Sequence, residues 1–135
     1  MKPPYAYEDA RRTAPIHAQV RVLSMKRQPH ADGSARILAL VVRVFRDDVG
    51  ALWFAKPIRF SVPIIPSDAE TEIMLGGTIR HDWHWIRRAK WLEVFLCCSN
   101  GRIELVESQL APIRRPTLHP VCGLDQKGFC CTGNI

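Results

Sequence analysis

The sequence predicts an all-β domain, mainly antiparallel strands with one short helix. Three observations carry that expectation. The stretch Arg36–Ile37–Leu38–Ala39–Leu40–Val41–Val42–Arg43–Val44–Phe45–Arg46 is too apolar on both faces for a surface strand. Its β-branched and aromatic content, closed by charges at both ends, suits an interior strand better than a helix. Asn100–Gly101 between two alternating runs is the strongest short-range hairpin signal in the chain. The remaining apolar runs are short and separated by glycine, proline, aspartate and asparagine.

Residues 1–15 carry three prolines, two tyrosines and mixed charges, which predicts an extended N-terminal arm. Ile16 to Arg27 reads as the first strand, with Val20, Val22 and Ser24 on one face and Gln19, Arg21, Leu23 and Met25 on the other. Gln28 to Ser34 has turn composition. The Arg36–Arg46 strand follows, with Leu38, Leu40, Val42 and Val44 on one face. Ile37, Ala39, Val41 and Phe45 take the other, interrupted by Arg43. If Arg27 pairs with Ala35, Arg21 falls opposite Val41 and Arg43 opposite Gln19, so the two arginines lie diagonally on one face. Asp47 to Gly50 is a second turn signal. Ala51 to Ile65 reads as the third strand, and Pro57 marks a bulge or an edge because it has no N–H for the ladder.

Ser67 and Glu70 have capping-box spacing, and Gly76–Gly77 a stop, which predicts a short helix from about Asp68 to Leu75. A strand over Thr71 to Leu75 is the competing reading. Lys90 to Cys98 alternates Trp91, Glu93 and Phe95 with Leu92, Val94 and Leu96, and Arg102 to Glu107 is its return strand. From Ala111 prolines and glycines break the pattern, so 111–135 reads as an irregular C-terminal tail on a domain of 16–110. Three meandering strands, a short helix and a further hairpin resemble, in element order, the small five-stranded barrels of the OB type. A meander sheet or sandwich of six or seven strands is the alternative. Fold alone assigns no activity.

With 135 residues, the chain is one domain with a sizeable core. It carries 19 Lys plus Arg against 13 Asp plus Glu, a net charge of +6, which favours polyanion partners. No apolar signal core opens the chain and no run reaches the roughly 20 residues of a membrane span. The five cysteines are odd in number and include two adjacent pairs, unlike a secreted disulfide framework. A cytoplasmic protein with no membrane partner is expected.

The densest unusual composition runs from Arg80 to Trp91. A single nucleic-acid strand needs flat rings for its bases and cations for its phosphates. Trp83, Trp85 and Trp91 supply rings; Arg80, Arg87, Arg88 and Lys90 supply charge. The competing reading buries the tryptophans as core or interface anchors with a solvated arginine rim. Arg21 and Arg43 are a second candidate, a basic sheet face following phosphates, with Arg59 as a further member if register allows. Their alternative is pairing with Glu72, Glu93 or Glu104, or snorkelling to the rim.

Metal ligation is not expected. His119 and Cys122 have ligand-like spacing, but the adjacent Cys130–Cys131 rarely both bind one ion, and no CxxC occurs. His81, Asp82 and His84 read as a solvated polar cluster on a tryptophan-rich segment and not as a partial metal site. No cofactor loop or catalytic motif is present, so the chain is expected not to be an enzyme. Two functions compete: a single-stranded DNA- or RNA-binding protein, or an assembly module docking a protein partner or second copy through the Trp-rich segment and both tails.

Overall fold

A computed structural model of the protein describes residues 4–27, 33–64, 81 and 83–121. Among them the elements are α1 (Pro4–Thr13), β1 (Ile16–Arg27), β2 (Ser34–Asp47), β3 (Pro57–Pro63), α2 (Trp83–Ile86), β4 (Trp91–Ser99) and β5 (Arg102–Ile113). The chain is mainly β, as the sequence predicts. Five strands form one antiparallel sheet in the order β3-β2-β1-β4-β5. The Arg36–Arg46 stretch lies inside β2, an interior strand, while β1 holds the middle. The prolines within the strands, Pro57 and Pro63 in β3 and Pro112 in β5, fall on the two edge strands. There a missing N–H costs no ladder bond on the open side.

One face of the sheet is the core. Ile16, Ala18 and Val20 of β1, Ile37, Ala39 and Val41 of β2, and the matching positions of β3 and β4 are buried together. Each fully buried Val, Leu or Ile contributes about 1.5–3 kcal/mol. Ile86 of α2 plugs the same core. The sheet curls around it, bringing Cα atoms of the edge strands β3 and β5 within 8 Å of each other. No ladder joins these two edges among the described residues.

The β1–β2 hairpin explains why an arginine can interrupt an apolar strand. Leu23 of β1 and Val42 and Phe45 of β2 are extra residues without a cross-strand partner. A bulge of this kind re-aims the residue beside it. Past Val42, Arg43 falls opposite Gln19, on the sheet face away from the core, and leaves Ile37, Ala39 and Val41 an unbroken apolar row. Past Leu23, Met25 joins the core side with Val22, which corrects the simple alternation read along this strand. Arg27 pairs with Ala35 and Gln19 with Arg43 as predicted, but the bulges place Arg21 opposite Leu40 instead of Val41.

Other elements differ from the sequence reading. Part of the proline-rich arm is helical, because Pro4 occupies the first helical position, where its missing N–H is harmless. The last carbonyls of α1, those of Arg11 and Arg12, accept hydrogen bonds from Arg46 Nη2 (2.7 Å) and Nη1 (2.9 Å). A cation at a helix C-terminus also opposes the negative end of the helix dipole. Residues 51–56 form a turn, not the start of a strand. Asp47 organises it: Oδ1 accepts from the N–H groups of Val49, Gly50 and Ala51, and Oδ2 from that of Leu52. Burial alone would raise its pKa, but these four donors outweigh burial and hold the carboxyl below its ordinary value. Strand β5 continues through Ala111 to Ile113, into the region read as tail. The predicted helix at 68–75 and its strand alternative lie outside the described residues. At the tip of the last hairpin Asn100 (φ 53°) and Gly101 (φ 77°) are both left-handed, the turn that Asn-Gly predicts.

Candidate functional site

Four of the predicted site residues gather around one groove. Trp85, Arg88, Lys90 and Trp91 line a depression of about 330 Å³, completed by Pro112, Ile113 and Arg114 from the end of β5. The chain builds it by alternation. Within the single turn of α2, Ile86 points into the core and Trp83 packs against it, while the intervening Trp85 is 66% exposed. The turn closes through Arg87 N–H to the Trp83 carbonyl (2.9 Å) and Ala89 N–H to the Ile86 carbonyl (3.0 Å). Val22 N–H then donates to the Lys90 carbonyl (2.7 Å), fixing where β4 starts. Trp91 is the first residue of β4, opposite Arg21 on one side and Ile113 on the other.

Cations flank these rings. The Arg21 guanidinium lies 5.6 Å from the Trp91 ring centroid. Arg27 lies 6.0 Å from that of Trp83. Such pairs keep an arginine beside an aromatic face without neutralising it. Among the described residues no acid lines the groove.

The other predicted residues lie elsewhere. Trp83 is half-buried against the core, and Arg87 is exposed outside the groove lining. Arg43 shares the outer sheet face with Arg21 as its diagonal neighbour, but its Nε is buried and has no hydrogen-bond partner. Arg80 lies outside the described residues.

Two structural groups could not be read from the sequence. The first is a buried polar cluster on the outer sheet face. His17 Nε2 lies 3.0 Å from Glu93 Oε2, and Gln19 Nε2 donates to Glu93 Oε1 (2.8 Å). The chain after β5 covers this cluster. Thr117 N–H donates to Gln19 Oε1 (2.8 Å), Gln19 Nε2 also donates to Thr117 Oγ1 (2.8 Å), and Val121 N–H donates to Glu93 Oε1 (2.9 Å). His17 stacks on Phe95 with ring centroids 4.1 Å apart. Glu93 thus turns its carboxylate to His17, Gln19 and Val121. With His17 2% exposed and Glu93 fully buried, the cluster is sealed from any substrate and reads as structural.

The second group centres on His81, which ties the sheet edges together. Its N–H donates to the Pro63 carbonyl (2.9 Å) and its Nε2 lies 2.8 Å from the Ser108 carbonyl oxygen. Ser108 (φ 58°) and Glu107 (φ 49°) form a left-handed kink in β5 that turns this carbonyl toward the ring. Burial pushes the imidazole pKa down, only partly opposed by the Ser108 carbonyl. Of the zinc candidates only His119 is described; Cys122, Cys130 and Cys131 are not. Among the described residues no three His, Cys, Asp or Glu gather closely enough to hold a metal ion.

A larger groove of about 600 Å³ lies between β3 and β5, with Arg36, Arg59 and Arg102 in its walls against one acid among the described residues, Glu104. Among the described residues its one aromatic side chain, Phe60, is 3% exposed and offers no stacking surface. The signal for it was Arg36 and Arg59 at same-parity positions of two strands, unreadable until the register after Pro57 was fixed. Among the described residues no helix is long and apolar enough to cross a membrane. No family model matches this chain, and no curated protein matches it significantly, so the site stands on its own geometry.

Proposed function

We propose that this protein binds single-stranded nucleic acid, DNA or RNA, by stacking bases on Trp85 and Trp91 and pairing phosphates with the arginines and lysine around them. One observation carries the reading: a 66% exposed tryptophan stands in a groove shared with Trp91, Arg88, Lys90 and Arg114, with no acid in its walls among the described residues. Stacking on such a ring contributes about 1–3 kcal/mol per base. Arg21 beside Trp91 adds a cation to the same site. The net charge of +6 acts in the same direction at longer range. The strand order, with a short helix before the fourth strand, supports reading the curled sheet as an OB-type, partly open barrel.

The test is quenching of tryptophan fluorescence by a thymidine dodecanucleotide at 50 mM and 200 mM salt. Quenching at low salt that weakens steeply at high salt supports the reading. No quenching at 50 mM salt rejects it.

A second reading, an assembly module without nucleic-acid contact, draws on a different place. Trp53 and Phe54 on the β2–β3 turn are 60% and 77% exposed, and Val49 beside them 50%. Apolar tips of this kind mark protein-binding surfaces. This reading expects an oligomer or partner complex that survives nuclease and dissociates in a Trp53→Ser, Phe54→Ser variant.

A further inference from the structure

The two grooves are joined by a strip of the sheet's outer face. Opposite positions place Trp91, Arg21, Leu40 and Pro57 in one row across β4, β1, β2 and β3. One step along the strands, Ser24, Leu38 and Arg59 form the next row, and Lys26, Arg36 and Ser61 the one after. Arg21, Lys26, Arg36 and Arg59 are all exposed, Leu38 and Leu40 are half-buried, and these rows contain no acidic residue. The strip begins at Trp91, in the wall of the tryptophan groove, and ends at Arg36 and Arg59, in the wall of the larger groove. Arg102 faces them across that groove from β5.

The spacing suits a single strand. Three inter-strand intervals of about 4.8 Å put β3 roughly 14 Å from β4, and one step along the strand adds about 7 Å. The diagonal is roughly 16 Å, about five nucleotides at the 3.4 Å spacing of a stacked strand and fewer when it is stretched. The two ends also differ in chemistry. The tryptophan groove has rings and cations, whereas the larger groove has guanidinium forks and, among the described residues, no exposed ring. Guanidinium groups bind phosphate through two parallel hydrogen bonds.

Building on the nucleic-acid reading, we infer that the grooves are two ends of one track. The strand leaves the tryptophan groove, crosses β1 and β2 obliquely, and is held by its phosphates at Arg36, Arg59 and Arg102. Those arginines are a phosphate clamp and not a base-reading site.

The experiment compares Arg36→Ala/Arg59→Ala with Arg12→Ala, a control that removes an exposed charge on α1, outside the lining of both grooves. Affinity for a thymidine dodecanucleotide is followed by fluorescence quenching across a salt series. Each phosphate contact on a single strand contributes about 0.7 to the salt slope. The first variant is expected to lose about 1.4 of slope and the control little, while Arg36→Lys/Arg59→Lys, which keeps both charges, retains most of it. A thymidine dinucleotide, whose single phosphate cannot reach from the tryptophan groove to Arg36 and Arg59, is expected to bind the first variant and the native protein equally. If the first variant matches the control while Trp85→Ala still abolishes binding of the dodecanucleotide, the track is wrong and the tryptophan groove stands. If the native protein binds neither oligonucleotide at low salt, the nucleic-acid reading fails and the track with it.

Discussion

At the scale of single residues, His81 does the most with the least. A half-buried imidazole spans the gap between the two sheet edges, held by one backbone bond to Pro63 and one ring bond to Ser108. Its folded pKa lies below the ordinary 6.5, first because burial disfavours the cation. The unfolded chain therefore takes up the proton more readily than the folded one. The stability this residue contributes is complete above pH 6.5 and is lost as pH falls through the lower folded value. Urea midpoints at pH 7.5 and pH 5.0 should fall further in the native protein than in His81→Gln, whose side chain cannot titrate. At pH 7.5, His81→Ala should cost about 1–3 kcal/mol, because the turned Ser108 carbonyl loses its partner. Sequence reading placed His81 in a polar cluster. Only the kink at Glu107–Ser108 makes it a staple, and left-handed conformations at glutamate and serine have no local signature.

At the scale of elements, the short turn α2 sorts its two tryptophans by direction, and each direction predicts a different outcome. Trp83→Ala should lower stability by about 1–3 kcal/mol, since its ring packs on the core cluster. Trp85→Ala should leave the thermal midpoint within about a degree or two of native while weakening oligonucleotide binding about tenfold or more. Melting curves and quenching titrations on the same two proteins separate the effects. How far the strands were legible follows the same logic. Alternation assigned the faces of β4 correctly, because Trp91 to Leu96 contains no bulge on its β1 side. It failed on β1 and β2 at Leu23 and Val42, because an extra residue shifts parity without changing composition. Four members of the candidate groove were visible because they are close in sequence. Arg114 was not, because it arrives from the far end of β5, in a stretch whose prolines masked a strand.

At the scale of the whole molecule, the sheet is organised around its first strand. β1 pairs with β2 nearby in sequence, but with β4 across long separations, from Arg21 with Trp91 to Ile16 with Leu96. Its Gln19 then meets Thr117, 98 positions away. Topologies dominated by such distant pairings fold slowly, in milliseconds to seconds. Stopped-flow refolding should fall in that range, and a Thr117→Ala, Val121→Pro variant should unfold faster while losing about 2–4 kcal/mol. That variant strips hydrogen bonds from Gln19 and Glu93, both completely buried. Acceptors and donors sealed beneath it cannot turn to water for replacements.

The seal over Gln19 and Glu93 also constrains how the protein is born. A nascent chain emerging from the ribosome can pair its first hairpin early. The middle of the sheet remains unfinished until residue 121 is clear of the exit tunnel. Until then a carboxylate, an imidazole and an amide face solvent where the finished domain is dry. Synthesis halted at Ile113 would therefore deliver all five strands of the described sheet, yet release a product destined for proteolysis.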